Sequence, residues 1–327
     1  MQISRRRIIA ALGATPFVFG ATARAQAFPS QPIKMVLGYS TGGAADMVAR
    51  GLAIGLQKAL GQTIVMDYRP GAGGAIAALA VTRAPADGHT IYLADTGSMS
   101  IIPSLRAVGY DPARDFTPLS YVGSSGLVVL VNPQVPATDI PSLIKLLKDK
   151  PGAYSYSSSG IGSPHQLAAE LFKQMTGTDA KHIPYRGAAP ALNDLMGGQV
   201  QISFSTIAPA FPLIQSGKVR ALGVTSAKRS PTLPQVPTIA EQGVAGYDAT
   251  PWFAVVAPPN LPAAVAAKLQ SAFAAALADR ETIAALEKLG VEDLSPRTPA
   301  AVTQLIRSDL EKWARVTRTA GIKLEES

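Results

Sequence analysis

From Ile33 onward the chain alternates short apolar runs with longer stretches whose apolar residues recur every three or four positions. The runs Ile33 to Leu37, Thr63 to Met66 and Thr90 to Leu93 read as strands, and the stretches Ala44 to Leu60 and Gly73 to Arg83 between them read as helices. A second series follows Gly123: strand Leu127 to Val131, helix Pro141 to Asp149, strand Tyr154 to Ser157, helix Pro164 to Thr176, strand Lys181 to Ile183, helix Ala188 to Met196, and strands Val200 to Phe204 and Val219 to Val224. Such alternation predicts two α/β sheets, each mostly parallel and flanked by helices. Trp252 to Ala257 is a further strand, after which only helices are predicted. An isolated strand must join a sheet already built, most simply the first. The chain then crosses between the sheets twice, near Gly123 to Gly126 and near Gly246 to Thr250, and paired crossovers make a hinge. Val265, Leu269, Phe273 and Leu277 recur at helical spacing and read as core face.

One unit occurs twice: an apolar strand, a loop of Gly, Ser and Thr, and an amphipathic helix. The first copy carries Ser40-Thr-Gly-Gly-Ala-Ala-Asp46 and the second Gly160-Ile-Gly-Ser-Pro164. Glycine lets backbone approach a ligand closely, and the free N–H groups and positive dipole end of a helix favour an anion. A plain strand-to-helix turn explains Asp46, as a residue that steadies the first helical turn. It does not explain adjacent Gly42 and Gly43 beside Ser40 and Thr41, which anion binding does. In the second loop Pro164 after Ser163 marks a helix start. Ser163 serves there as an N-cap or as a ligand contact. Arg69-Pro-Gly-Ala-Gly-Gly74 reads as a tight connection, with a place on the cleft rim as the alternative; Ile76 stands where a dinucleotide fingerprint needs its third glycine.

The first 27 residues read as a secretory leader: Arg5, Arg6 and Arg7, an apolar stretch from Ile8 to Gly20, and small-residue cleavage sites at Ala25 and Ala27. Ser4-Arg-Arg-Arg-Ile-Ile9 suits a twin-arginine signal, and a Sec signal reads almost as well. Losing this segment removes four arginines and no acid, so the formal charge falls from +8 to +4. That balance favours anions in general, but no Lys/Arg cluster is interleaved with aromatics, so a nucleic-acid partner is not expected. The 327 residues contain no cysteine, which removes disulfides, thiolate metal sites and thiol nucleophiles together. His89, His165 and His182 lack metal-ligand spacing and read as strand or helix-end residues. Neither Ser98 nor Ser163 lies in a nucleophile elbow, and no acid/base pair is evident, so neither enzymatic activity nor a cofactor is expected.

Gly42-Gly43-x-x-Asp46, Arg69-Pro-Gly-Ala-Gly-Gly74, Tyr110-Asp-Pro-Ala-Arg-Asp-Phe-Thr-Pro118, His182-Ile-Pro-Tyr-Arg-Gly-x-Ala-Pro-Ala-Leu192, Gly197-Gly-Gln-Val200, Arg220-Ala-Leu-Gly-Val-Thr225 and Leu233-Pro-Gln-Val-Pro-Thr238 together form a specific pattern. On these motifs the chain resembles the periplasmic solute-binding proteins of tripartite tricarboxylate transporters, the Bug family. The resemblance implies a type II periplasmic-binding-protein fold: two α/β domains, 28–125 with 247–327 and 126–246, closing on an organic carboxylate. It implies ligand contacts from Tyr39, Ser40, Thr41, Gly42, Gly43 and Asp46, from Thr96, Gly97 and Ser98 after the third strand, and from Gly160, Gly162, Ser163, Tyr185 and Ser205. It further implies a monomer that delivers a di- or tricarboxylate or an aromatic acid to membrane subunits of the transporter. The runner-up is a ligand sensor that presents its bound state to a receptor kinase. Gly38 stands where the family often has Pro, which loosens the turn. Gln166 stands where it usually has His. Ser205 replaces an Asp common in relatives, which removes a partner for a ligand ammonium and favours a plain or aromatic carboxylate.

Overall fold

The computed structural model describes residues 28–185 and 187–323; the leader lies outside the described residues. β1 (Ile33–Leu37), α1 (Ala44–Leu60), β2 (Ile64–Tyr68), α2 (Ala75–Thr82) and β3 (Thr90–Asp95) open the first half, with a 3-10 turn at Ala72–Gly74. A turn of π-helix (Gly97–Ile101) runs into α3 (Ile102–Leu105), and β4 (Thr117–Ser125) follows. The second half holds β5 (Leu127–Val131), α4 (Ile140–Asp149), β6 (Ser155–Ser158), α5 (Pro164–Thr176), β7 (Lys181–Pro184), α6 (Ala188–Met196), β8 (Ile202–Thr206), α7 (Ile207–Gln215) and β9 (Arg220–Val224). The chain then returns through β10 (Trp252–Ala257), α8 (Ala263–Ala278), α9 (Arg280–Lys288), β11 (Val291–Glu292) and α10 (Pro299–Ala320).

The strands form a six-stranded sheet in the order β11-β4-β10-β3-β1-β2 and a five-stranded sheet in the order β7-β6-β8-β5-β9. Both are mixed, where mostly parallel sheets were expected. The parallel parts are β2-β1-β3 and β7-β6-β8, while β10 and β5 run antiparallel to both their neighbours. β10 and β5 are the strands entered directly from the other sheet, which reverses their direction, and β11 runs antiparallel to β4 at the sheet edge. β11 corrects the expectation of helices alone after β10: Val291 and Glu292 pair with Ser125 and Ser124. The two crossings touch, since Ser125 N–H donates to the Pro251 carbonyl at 2.8 Å.

α1, α8 and α9 cover one face of the first sheet with Leu52, Leu56, Leu269, Phe273 and Leu286, each fully buried and each stabilising by about 1.5–3 kcal/mol. α2 and the start of α10 cover the other face through Ala77, Ala78, Val302 and Ile306. The end of α10 leaves that core: Trp313 and Val316 pack into the second sheet's cluster with Leu167 and Phe172, and Gln174 Nε2 donates to the Val316 carbonyl at 2.8 Å. One helix therefore contributes core residues to both halves. Gly38 does not loosen its turn. A Cβ there would lie 2.6 Å from the Gly74 Cα, so the missing side chain admits the second glycine-rich turn against the first.

Candidate functional site

The loops after β2, β1 and β3 face those after β7, β6 and β8 across a cleft of about 980 Å3. Tyr39, Gly42, Gly43, Gly97, Gly160, Gly162 and Ser163 line it, seven of the residues expected to meet a ligand. No Asp or Glu among the described residues lines it.

The first loop is shaped from within. Gly42 takes φ +83°, and Gly43 is the N-cap of α1 with no side chain to satisfy the helix's first N–H groups. Asp46 turns back from the first helical turn and is buried. It accepts hydrogen bonds from Gly42 N–H (2.8 Å), Thr41 Oγ1 (3.1 Å), Tyr68 OH (2.7 Å) and Arg50 Nε (2.8 Å). Burial works against its ionisation, yet the donors and the Arg50 charge prevail and hold the carboxyl below its ordinary value. Asp46 is thus the loop's internal anchor and not a wall of the cleft. Ser40 and Thr41 are exposed outside the lining. The backbone at Gly43 and Ala44 is what the α1 end presents to the cleft. Burial and the neighbouring Asp95 push the Tyr39 phenol well up, so it stays a hydrogen-bond donor at neutral pH.

The second loop is similarly tied. Gly162 N–H donates to Gln166 Oε1 at 2.7 Å, and Ser163 Oγ accepts Gln166 N–H at 3.3 Å as the N-cap of α5. Gln166 is buried and reaches His182 Nδ1 at 3.2 Å, so the family's His-to-Gln departure falls behind the loop. His165 is the one of the pair that lines the cleft, its ring held between Ser159 Oγ (2.6 Å) and Thr206 Oγ1 (3.0 Å). Burial pulls its pKa down to about 4, so the ring is neutral near pH 7.

Besides Ser40, Thr41 and Asp46, four expected contacts stand back from the cleft. Thr96 Oγ1 accepts the Trp252 N–H at 2.8 Å, and Ser98 gives its N–H (2.9 Å) and hydroxyl (2.7 Å) to Asp95; both residues are buried. Tyr185 OH is turned to Asp194 at 2.7 Å. Ser205 is buried, with a hydroxyl that has no partner among the described residues, one position before the cleft-lining Thr206. The rim at Ala72 and Gly73 is the alternative place for the Arg69–Gly74 turn, and the structure has it there. Sequence reasoning missed Met47, Ile102, Arg106, Lys288 and the start of α6 at Gly187 and Ala188. The α6 start repeats the strand-loop-helix pattern and was legible; Arg106 and Lys288 reach the cleft only through tertiary packing. Among the described residues no group of His, Asp and Glu has the arrangement to hold a metal ion.

Residues 48–322 match the model of the tripartite tricarboxylate transporter family receptor. The chain belongs to that family. Its members are periplasmic solute-binding proteins and not enzymes. Among similar proteins, BugT of Bordetella pertussis is 34% identical, covering 98% of this chain and 99% of its own. Rpa4515 of R. palustris, solved with adipate, is 36% identical over 90% of this chain and 99% of its own, with a TM-score of 0.78. MatC from Rhodopseudomonas palustris, solved with bound malate, is 30% identical over 88% and 99%, with a TM-score of 0.76. As a receptor of this kind the chain has the binding-protein fold that its motifs implied, and no helix among the described residues is long and apolar enough to cross a membrane.

Proposed function

We propose that this receptor captures an organic carboxylate in the periplasm and, acting as a monomer, hands it to the membrane subunits of a tripartite tricarboxylate transporter. The observation that carries this reading is the convergence of two helix starts, one from each half, α1 with no side-chain cap and α5 capped by Ser163 at one N–H, on a cleft that no acid among the described residues lines. The adipate and malate in related receptors support the ligand class. Most of the remaining wall is apolar, with Met47, Ile102, Ile161, Ala188 and Leu289, which suits a plain aliphatic or aromatic acid better than a polyhydroxylated or amino acid. Domains 28–125 with 247–327 and 126–246 close over it about the paired crossings.

A thermal-shift screen of mono-, di- and tricarboxylates and aromatic acids tests the reading. A true ligand at a hundred times its Kd stabilises by about 2.7 kcal/mol. Mass spectrometry of the released ligand should find it unchanged. A screen in which no carboxylate shifts the melting curve sinks the proposal.

A further inference from the structure

Arg106 follows α3 and lines the cleft with an exposed side chain. Among the described residues no carboxylate lies within ion-pairing distance of its guanidinium. An arginine at a surface usually finds an acid or open water; this one faces an acid-free, largely apolar cleft. Its charge is felt inside the first half: burial and Asp95 raise the Tyr110 phenol, and Arg106 opposes them. Tyr110 OH in turn donates to the Ser98 carbonyl, in the loop after β3, at 2.6 Å.

Among the described residues Lys288 is the other cation that lines the cleft, and the two are not equivalent. Lys288 closes α9, where the negative end of the helix dipole balances its charge, and α9 packs on the α1 face of the first sheet through Leu286 and Leu289. Arg106 follows α3, whose Ile102 packs with α2 and α10 on the other face of that sheet, and a single helical turn is too short to offset its charge.

We propose that Arg106 is the specificity-determining residue that selects acids with a second carboxylate, distal to the one held at the α1 and α5 starts. This deepens the carboxylate reading and rests on it. A guanidinium pairs with a carboxylate by two parallel N–H donors, and in a partly desolvated cleft the pair is worth more than in water. Capture of a monoacid leaves the cation unpaired and gains nothing from it.

The test is calorimetric titration of the mature protein with straight-chain dicarboxylates of about four to eight carbons and the monocarboxylates of equal length, for wild type, Arg106→Gln, Arg106→Lys, Lys288→Gln and Arg114→Gln. Wild type should bind its best diacid at least about tenfold tighter than the matched monoacid. Arg106→Gln should lose about tenfold or more for the diacid and less than about twofold for the monoacid. Arg106→Lys, which keeps the charge without the fork, should fall between, and Arg114→Gln, at an exposed position remote from the cleft, should match wild type. Melting curves of both Arg106 variants check the fold. An unchanged diacid-to-monoacid ratio in Arg106→Gln overturns the inference, as does a loss found in Lys288→Gln instead. If a monoacid binds and no diacid does, only this inference falls; if neither class binds, the carboxylate reading falls with it.

Discussion

Gly42 gives its backbone N–H to the Asp46 carboxylate at 2.8 Å, across four residues that include the start of α1. The acid that the pattern placed near the ligand therefore shapes the loop proposed to meet it. Asp46→Ala removes the acceptor of four hydrogen bonds and should lower stability by about 2 kcal/mol, read from denaturant melts. Ligand affinity should fall with it, because Gly42 and Gly43 lose their fixed geometry. The carboxyl is held below its ordinary 3.8, so its stabilisation is present above that pH and is lost as pH falls through the lower native value. Asp46→Asn should flatten that acid limb of the stability curve.

Gly43→Asp separates folding from binding. Gly43 has φ −82°, and a Cβ there meets only the Ser40 carbonyl at 3.5 Å, so the backbone accepts a side chain. Aspartate is a favoured N-cap and would bond the first N–H groups of α1. The melting temperature should hold or rise while carboxylate affinity drops by roughly two to four orders of magnitude. Calorimetry beside circular dichroism checks both halves; near wild-type affinity in a well-folded variant would make this loop a structural turn only.

Gly38→Ala should destabilise without touching the ligand. Its Cβ would press on the Gly74 backbone at 2.6 Å, a contact that only movement of a whole turn relieves. A loss of about 1–3 kcal/mol in urea unfolding is expected. A variant as stable as wild type would mean that the two glycine turns are not packed so closely.

Two histidines give the protein a slope in mildly acidic solution. Burial lowers His165 to about 4, and burial with the Lys173 charge lowers His182 to about 4, against an ordinary 6.5. Between those values the unfolded chain binds protons that the native one refuses, so stability falls as pH drops from 6.5 to about 4 and the contribution levels off below. His165→Gln with His182→Gln should reduce that slope in melts across the range. An unchanged slope would mean that both rings protonate freely in the fold.

Export should remove the first 25 or 27 residues. The intact mass of periplasmic protein tests this, and a chain that still begins at Met1 would contradict it. Replacing Arg5 and Arg6 together by Lys should block a twin-arginine route and spare a Sec route.

Strong punctuation made part of this architecture legible. Gly, Ser and Pro at the starts of α1 and α5, and β-branched runs such as Leu127–Val131, mark elements whose bounds the structure reproduces. β4 was not legible, because Thr117, Ser120, Gly123, Ser124 and Ser125 break the apolar alternation, and the strand exists through its pairing with β10. α7 was hidden by Pro209 and Pro212; the first falls where helix N–H groups are free anyway, and packing holds the second. In the cleft, the glycine loops were visible as local motifs. That Thr96 would hold Trp252, and Ser98 Asp95, was not, since a hydroxyl in sequence does not reveal whether its partner is a ligand or the protein itself.

The shared helix α10 sets when this molecule becomes a molecule. The first sheet lacks a central strand until residues 252–257 are present, and the second half's core lacks Trp313 and Val316 until nearly the whole chain has been made. A ribosome delivering the chain from its amino end thus emits no segment that is already a finished domain. On a Sec route, a channel that threads extended polypeptide would meet nothing it must first pull apart, and the fold would close in one late event beyond the membrane; a twin-arginine route would have to wait for the whole chain.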